Sequence, residues 1–89
     1  MTMSNHKPPE ELQTAWDMYD RPTDGQRFRH YKGGEYEVVA TGFLEATETP
    51  CVVYRSLENG IVWVRTAKNF LEAVKIDGAD RPRFEPLTD

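Results

Sequence analysis

The chain has 89 residues, 38% of them hydrophobic and 11% aromatic, with 15 acidic against 11 basic side chains and a net charge of −4. That leaves room for one domain with one modest core and excludes compositional disorder, while the acidic balance opposes the phosphate attraction on which most nucleic-acid binders depend. A single cysteine, Cys51, cannot form an internal disulfide, no apolar run approaches the roughly 18 residues of a membrane span, and Met1 to Glu10 lacks a signal-peptide pattern, so a cytoplasmic protein with no membrane partner is expected.

In chain order, Met1 to Lys7 reads as a loose tail, and Pro8-Pro9-Glu10-Glu11 as a helix start, with Pro and acidic side chains in the first turn. Leu12, Ala15, Trp16 and Tyr19 follow at i, i+3, i+4 and i+7, one apolar stripe on a helix of about three turns. A helix that short is marginal alone, so the stripe must dock on the sheet or on a partner or stay partly disordered, and a helix capping an open end of the core is the preferred reading. Asp20 to Gly25 is a loop by composition and divides an N-terminal extension, 1–24, from a β domain, 25–85. Gly33-Gly34 reads as a two-residue turn between strands at Arg27 to Lys32 and Glu35 to Thr41. That register pairs Tyr31 with Tyr36, His30 with Glu37 and Arg29 with Val38.

Gly42 to Thr49 reads as a polar extended loop ending at Pro50, which cannot donate a ladder hydrogen bond. Then comes the strongest signal, Cys51 to Tyr54 and Ile61 to Val64 about the turn Leu57-Glu58-Asn59-Gly60. β-branched and aromatic runs flank an Asn-Gly pair suited to a type I′ turn. With Asn59-Gly60 as a two-residue loop, Tyr54 lies opposite Arg65 and Ser56 opposite Trp63 on one face, while Val53, Leu57, Val62 and Val64 take the core face. A loop one residue longer would move Trp63 and Arg65 to the face of Val53 and Arg55. Thr66 can cap a short helix carrying Phe70, Leu71 and Val74; Asp77-Gly78 is a turn, and Arg81 to Phe84 a short edge strand. Successive hairpins in so short a chain predict a mainly β fold, a small antiparallel, SH3-like, partly open barrel of about five strands with a short N-terminal helix.

His30-Tyr31-Lys32-Gly33, Val52-Val53-Tyr54-Arg55, Trp63-Val64-Arg65, then Phe70, Glu72, Val74, Asp77-Gly78 and Pro82-Arg83-Phe84 together resemble the short bacterial domain of unknown function 1653 over about residues 25 to 84. The resemblance implies a small, mostly β bacterial domain without an established activity. Where members usually carry a His-Ser-Glu-Thr run, this chain has Leu44-Glu45-Ala46-Thr47, so no catalytic role transfers.

Chemistry is sparse. His30 and Glu37 could form an acid/base pair if the Gly-Gly turn sets them opposite each other, but a surface cross-strand pair explains them as well, and Cys51 between Pro50 and Val52 reads as a buried small hydrophobe. His6 and His30 are too isolated for a zinc site. No metal and no cofactor is expected, and the expectation is a non-enzyme. Tyr54, Trp63 and Arg65 are the residue types of interaction hot spots. They suggest a protein-interaction or adaptor module that binds a protein partner or self-associates. The first hairpin, with Tyr31 and Lys32 beside Arg27 and Arg29, offers an alternative as an RNA-binding surface, and His30 with Glu37 an alternative as a minor enzyme. The candidate binding residues are therefore Tyr54, Trp63, Arg65, His30, Tyr31 and Lys32. The amphipathic stripe of the extension is expected to cover the Tyr54, Trp63 and Arg65 face in the free protein.

Overall fold

The computed structural model describes residues 6–88; residues 1–5 of the tail lie outside them. Helix α1 covers Pro9–Thr14, with Pro in its first turn and Glu10 and Glu11 beside the positive end of the helix dipole. Strands follow at β1 (Arg27–His30), β2 (Glu35–Leu44), β3 (Thr49–Ser56) and β4 (Val62–Thr66), then α2 (Ala67–Leu71), β5 (Ala73–Ile76), β6 (Ala79–Pro82) and β7 (Phe84–Pro86). Five of the seven strands form one antiparallel sheet in the order β4-β3-β2-β1-β7, and β5 and β6 form a separate hairpin. β4 and β7 end the order without pairing to each other, so the sheet stays open.

Both hairpin registers differ from the simple two-residue turns. In the first, His30 N–H bonds Gly34 O at 3.0 Å and Gly33 N–H bonds His30 O at 2.8 Å, so Tyr31, Lys32 and Gly33 form a three-residue loop. Arg27 lies opposite Glu37 and Phe28 opposite Tyr36. The displacement from the expected register is odd, and side chains alternate along a strand, so His30 and Phe28 join the face of Tyr36 and Val38 while Tyr31 leaves it. His30 and Glu37 are therefore not a cross-strand pair; they occupy opposite faces. In the central hairpin Ser56 N–H bonds Ile61 O at 2.9 Å across the four residues 57–60. Tyr54 lies opposite Trp63 and Val52 opposite Arg65.

Here the displacement is even, so Tyr54, Ser56, Trp63 and Arg65 do share a face. That face is the core face, which reverses the expected polarity: Val52 and Tyr54 are buried, whereas Val62 and Val64 are exposed. Asn59 does not adopt a positive φ; only Gly60 does, at 78°. The reason is local. Ser56 Oγ accepts the N–H groups of Glu58 and Asn59, and Asn59 Oδ1 accepts that of Ile61. These side-chain bonds hold a wider loop in place of a type I′ turn.

β2 continues to Leu44 and β3 begins at Thr49, so half of the expected loop from Gly42 is strand, and the turn is only the four residues 45–48. A bulge between Val38 and Ala40 leaves Val39 exposed while Val38 is buried. Thr66 Oγ1 accepts Asn69 N–H at 3.1 Å, capping α2 as expected.

The core is aromatic. Phe70 and Phe84 stack with centroids 4.1 Å apart, and Tyr54 meets both edge-on at 5.3 Å. Phe28, Val38, Val52, Ala67 and Trp16 complete it. Trp16 is only 3% exposed. The extension thus supplies part of the core of its own domain. α1 is shorter than three turns and passes into i→i−3 bonds, Trp16 N–H to Gln13 O and Tyr19 N–H to Trp16 O, which still bring Trp16 and Tyr19 inward. Arg21 lies over the Trp16 ring and bonds Thr41 Oγ1 and Gln13 Oε1. At the turn after β2, Glu48 accepts Lys7 N–H at 2.8 Å and pairs with His6 at 3.2 Å. The Lys7 N–H and the His6 ring hold the Glu48 carboxyl below its ordinary range.

Candidate functional site

β1, β2, β3, β4 and β7 meet at one cleft of about 210 Å³, lined by His30, Tyr36, Tyr54, Trp63, Arg65 and Phe84. Four of the six residues singled out from sequence come together here: His30, Tyr54, Trp63 and Arg65. Tyr54 is the buried floor, while Trp63, 49% exposed, is the rim. Arg65 reaches inward from β4, donating from Nε to Tyr54 Oη at 2.7 Å and from Nη1 to Asn69 Oδ1 on α2. Its guanidinium carbon stands 5.4 Å from the Phe84 ring centroid. A guanidinium held by two neutral acceptors and an aromatic face is fixed in direction yet keeps its full charge. Among the described residues no carboxylate forms a salt bridge with Arg65.

His30 packs against Phe84 at 4.8 Å and Tyr31 at 4.7 Å. Its Nδ1 accepts Lys32 N–H at 3.2 Å, so in the neutral ring the hydrogen belongs on Nε2. Nε2 is buried and has no hydrogen-bond partner among the described residues. Burial, and then the charges of Arg65, Arg83 and Lys32, lower the His30 pKa below its ordinary 6.5. The cleft therefore presents donors and positive charge but no carboxylate.

Tyr31 and Lys32 do not join the cleft. Lys32 stands over the Tyr31 ring at 5.7 Å, outside the lining. Arg27 and Arg29 pair with Glu37 and Glu35 at 3.5 and 2.9 Å, so two of the basic residues of this hairpin already have carboxylate partners. Glu37 also accepts from Arg55 at 2.5 Å on the face away from His30. Cys51 is buried with its Sγ directed to Thr49 O, and Ser56 Oγ is engaged by its own loop. The extension, expected to cover Tyr54, Trp63 and Arg65, docks elsewhere: the lining of the cleft includes no residue before His30.

Sequence reasoning missed Tyr36, Phe84 and Asn69. Phe84 stands out in sequence only as the end of an edge strand and as part of a family motif, and the two-residue register sets Tyr36 against Tyr31. On the outer face a shallow apolar recess of about 320 Å³ includes Phe43, Leu44, Val53 and Val64. Among the described residues no group of three or more His, Cys, Asp or Glu could hold a metal ion, and no helix is long and apolar enough to cross a membrane.

A family model described as "Protein of unknown function (DUF1653)" matches residues 26–86, a span that includes every lining residue of the cleft. No curated protein and no solved structure matches the chain.

Proposed function

The chain belongs to the DUF1653 family, whose function is unknown, and we propose that this member is a non-catalytic recognition module that binds another protein through the cleft between Trp63, Arg65 and His30. The observation that carries this reading is the placement of a half-exposed Trp and a rigidly held Arg above a buried Tyr, beside β4, which ends the sheet. Hot spots of protein interfaces are enriched in Trp and Tyr, which bury large area with few mobile torsions, and in Arg, whose planar fork pairs with acceptors across the interface. An unpaired edge strand offers a row of backbone donors and acceptors to an incoming segment. The RNA reading has less support, because Arg27 and Arg29 already have carboxylate partners. A reading as an enzyme lacks its proposed acid/base pair, since Glu37 faces away from His30. The test is to pan a library of random displayed peptides against the wild-type protein and against Trp63→Ala. Trp63 is half exposed, so this variant is expected to stay folded. Peptides enriched on the wild type and lost on Trp63→Ala support the module; no enrichment, or enrichment indifferent to Trp63, removes it.

A further inference from the structure

The cleft and the free edge beside it also define the chemistry of an occupant. We propose that the cleft takes a carboxylate side chain, delivered by an extended acidic segment of a partner protein that pairs with β4. This rests on the reading of the cleft as a protein-recognition site and names what it recognises.

Arg65 supplies the first argument. It brings a full positive charge into an aromatic cleft that holds no carboxylate, and its two recorded side-chain bonds use Nε and Nη1. Nη2 makes no hydrogen bond among the described residues and remains for an incoming acceptor. A guanidinium presents its donors as a planar fork that matches a carboxylate. His30 supplies the second. It lines the same cleft, and its Nε2, which carries a hydrogen, is enclosed with no acceptor among the described residues, an unsatisfied donor that a turn of the ring would bring to an anionic oxygen. A bound segment would cover the half-exposed Trp63 and, by displacing water from the cleft, strengthen both interactions.

The edge strand then selects the form of the ligand. Along β4, Trp63 and Arg65 face the cleft, whereas Val62 and Val64 face outward and are 53% and 61% exposed. A strand added to this edge would alternate in the same way, with acidic side chains toward Arg65 and apolar ones beside Val62 and Val64. The net charge of −4 opposes a polyanion such as RNA more strongly than a short segment with one or two carboxylates, for which the local charge of Arg65 decides.

The experiment uses the full chain and two end-blocked peptides, Thr-Val-Glu-Val-Glu-Val and its counterpart with Gln at both Glu positions. Binding is read by nuclear magnetic resonance from the Trp63 indole and Arg65 Nε–H signals. Inorganic phosphate, sodium propionate and a single-stranded RNA oligonucleotide are titrated alongside. The Glu peptide is expected to bind about tenfold or more tightly than the Gln peptide, since charge-assisted bonds to Arg65 separate them. Arg65→Gln should abolish that difference, and propionate should shift the same signals weakly. Because Arg65→Gln also loses its bonds to Tyr54 and Asn69, the comparison of the two peptides on the wild-type protein is decisive by itself. Equal binding of both peptides, or no binding of the Glu peptide, overturns the carboxylate assignment; displaceable peptides from the displayed library would still uphold the recognition site. Tighter binding of phosphate or RNA at these signals overturns it in favour of a phosphate ligand.

Discussion

The first hairpin and the central hairpin carry equally suggestive turn residues, Gly33-Gly34 and Asn59-Gly60, yet they depart from two-residue turns in different ways. The first closes on a three-residue loop with both glycines at positive φ, 103° and 86°. The central one closes on a four-residue loop, with Ser56 and Asn59 side chains bonding its backbone. An odd displacement exchanges the two faces of a strand; an even one moves partners along the strand but keeps each face together. That is why the two-residue turn separates His30 from Tyr36, whereas it groups Tyr54, Trp63 and Arg65 correctly but on the wrong side. The lesson is that small errors in loop length differ in kind according to parity.

The largest effects should come from the shared inner face and from the extension packed on it. Phe28→Ala and Trp16→Ala, each removing a ring that is 3% exposed, are expected to cost about 3–5 kcal/mol in urea unfolding. Against the roughly 5–15 kcal/mol of a typical domain that is a large share of the total. If Trp16→Ala cost no more than a surface change, the extension would be a loose appendage after all.

The turns themselves separate next. Gly34→Ala combines a positive φ of 86° with a Cβ only 3.3 Å from the Tyr36 ring, while at Gly60, φ 78°, nothing lies within 4 Å. Both substitutions should cost about 1–2 kcal/mol of backbone strain and lower the melting midpoint accordingly, with Gly34→Ala melting at the lower temperature and also weakening any ligand of the cleft, which Tyr36 lines. Equal midpoints would show that the first loop can relax away from Tyr36.

A smaller effect is expected from acid. The folded-state pKa of His30 lies below its ordinary 6.5, chiefly through burial and then through Arg65, Arg83 and Lys32. Between the two values the unfolded chain binds the proton more readily, so stability is intact above about pH 6.5 and is lost as pH falls through the folded value. Urea midpoints recorded between about pH 7 and pH 5 should fall for the wild type and be flatter for His30→Gln. A parallel slope in the variant would assign the acid sensitivity to another group.

The smallest change should be on the outer face. Val64→Thr, at a position 61% exposed, is expected to alter stability by no more than about 0.5 kcal/mol. A loss comparable to that of Phe28→Ala would restore Val64 to a buried face and overturn the polarity described for the central hairpin.

Much of this architecture could be read from residue pattern alone. Runs of β-branched and aromatic residues between Gly-containing turns mark antiparallel strands because those side chains suit a pleated surface. Thr66 followed by Asn69 marks a capped helix because the bond is local. Trp63 and Arg65 stand out by chemical type, and the spacing of two fixes their common face without any partner. Three matters lay beyond that reach, and each depends on contacts distant in sequence. Which face of β3 and β4 is buried was decided by aromatic rings arriving from α2 and β7, since Phe70 and Phe84 pack on Tyr54 and leave Val62 and Val64 to solvent. Where the amphipathic stripe docks was decided by the opening it fills, which takes Trp16 into the core. The union of His30 with Arg65 required an odd loop in one hairpin, an even one in the other, and Phe84 between them. Local preference sets the alternation of side chains along each strand, but only the packed sheet can select which side of that alternation becomes the interior.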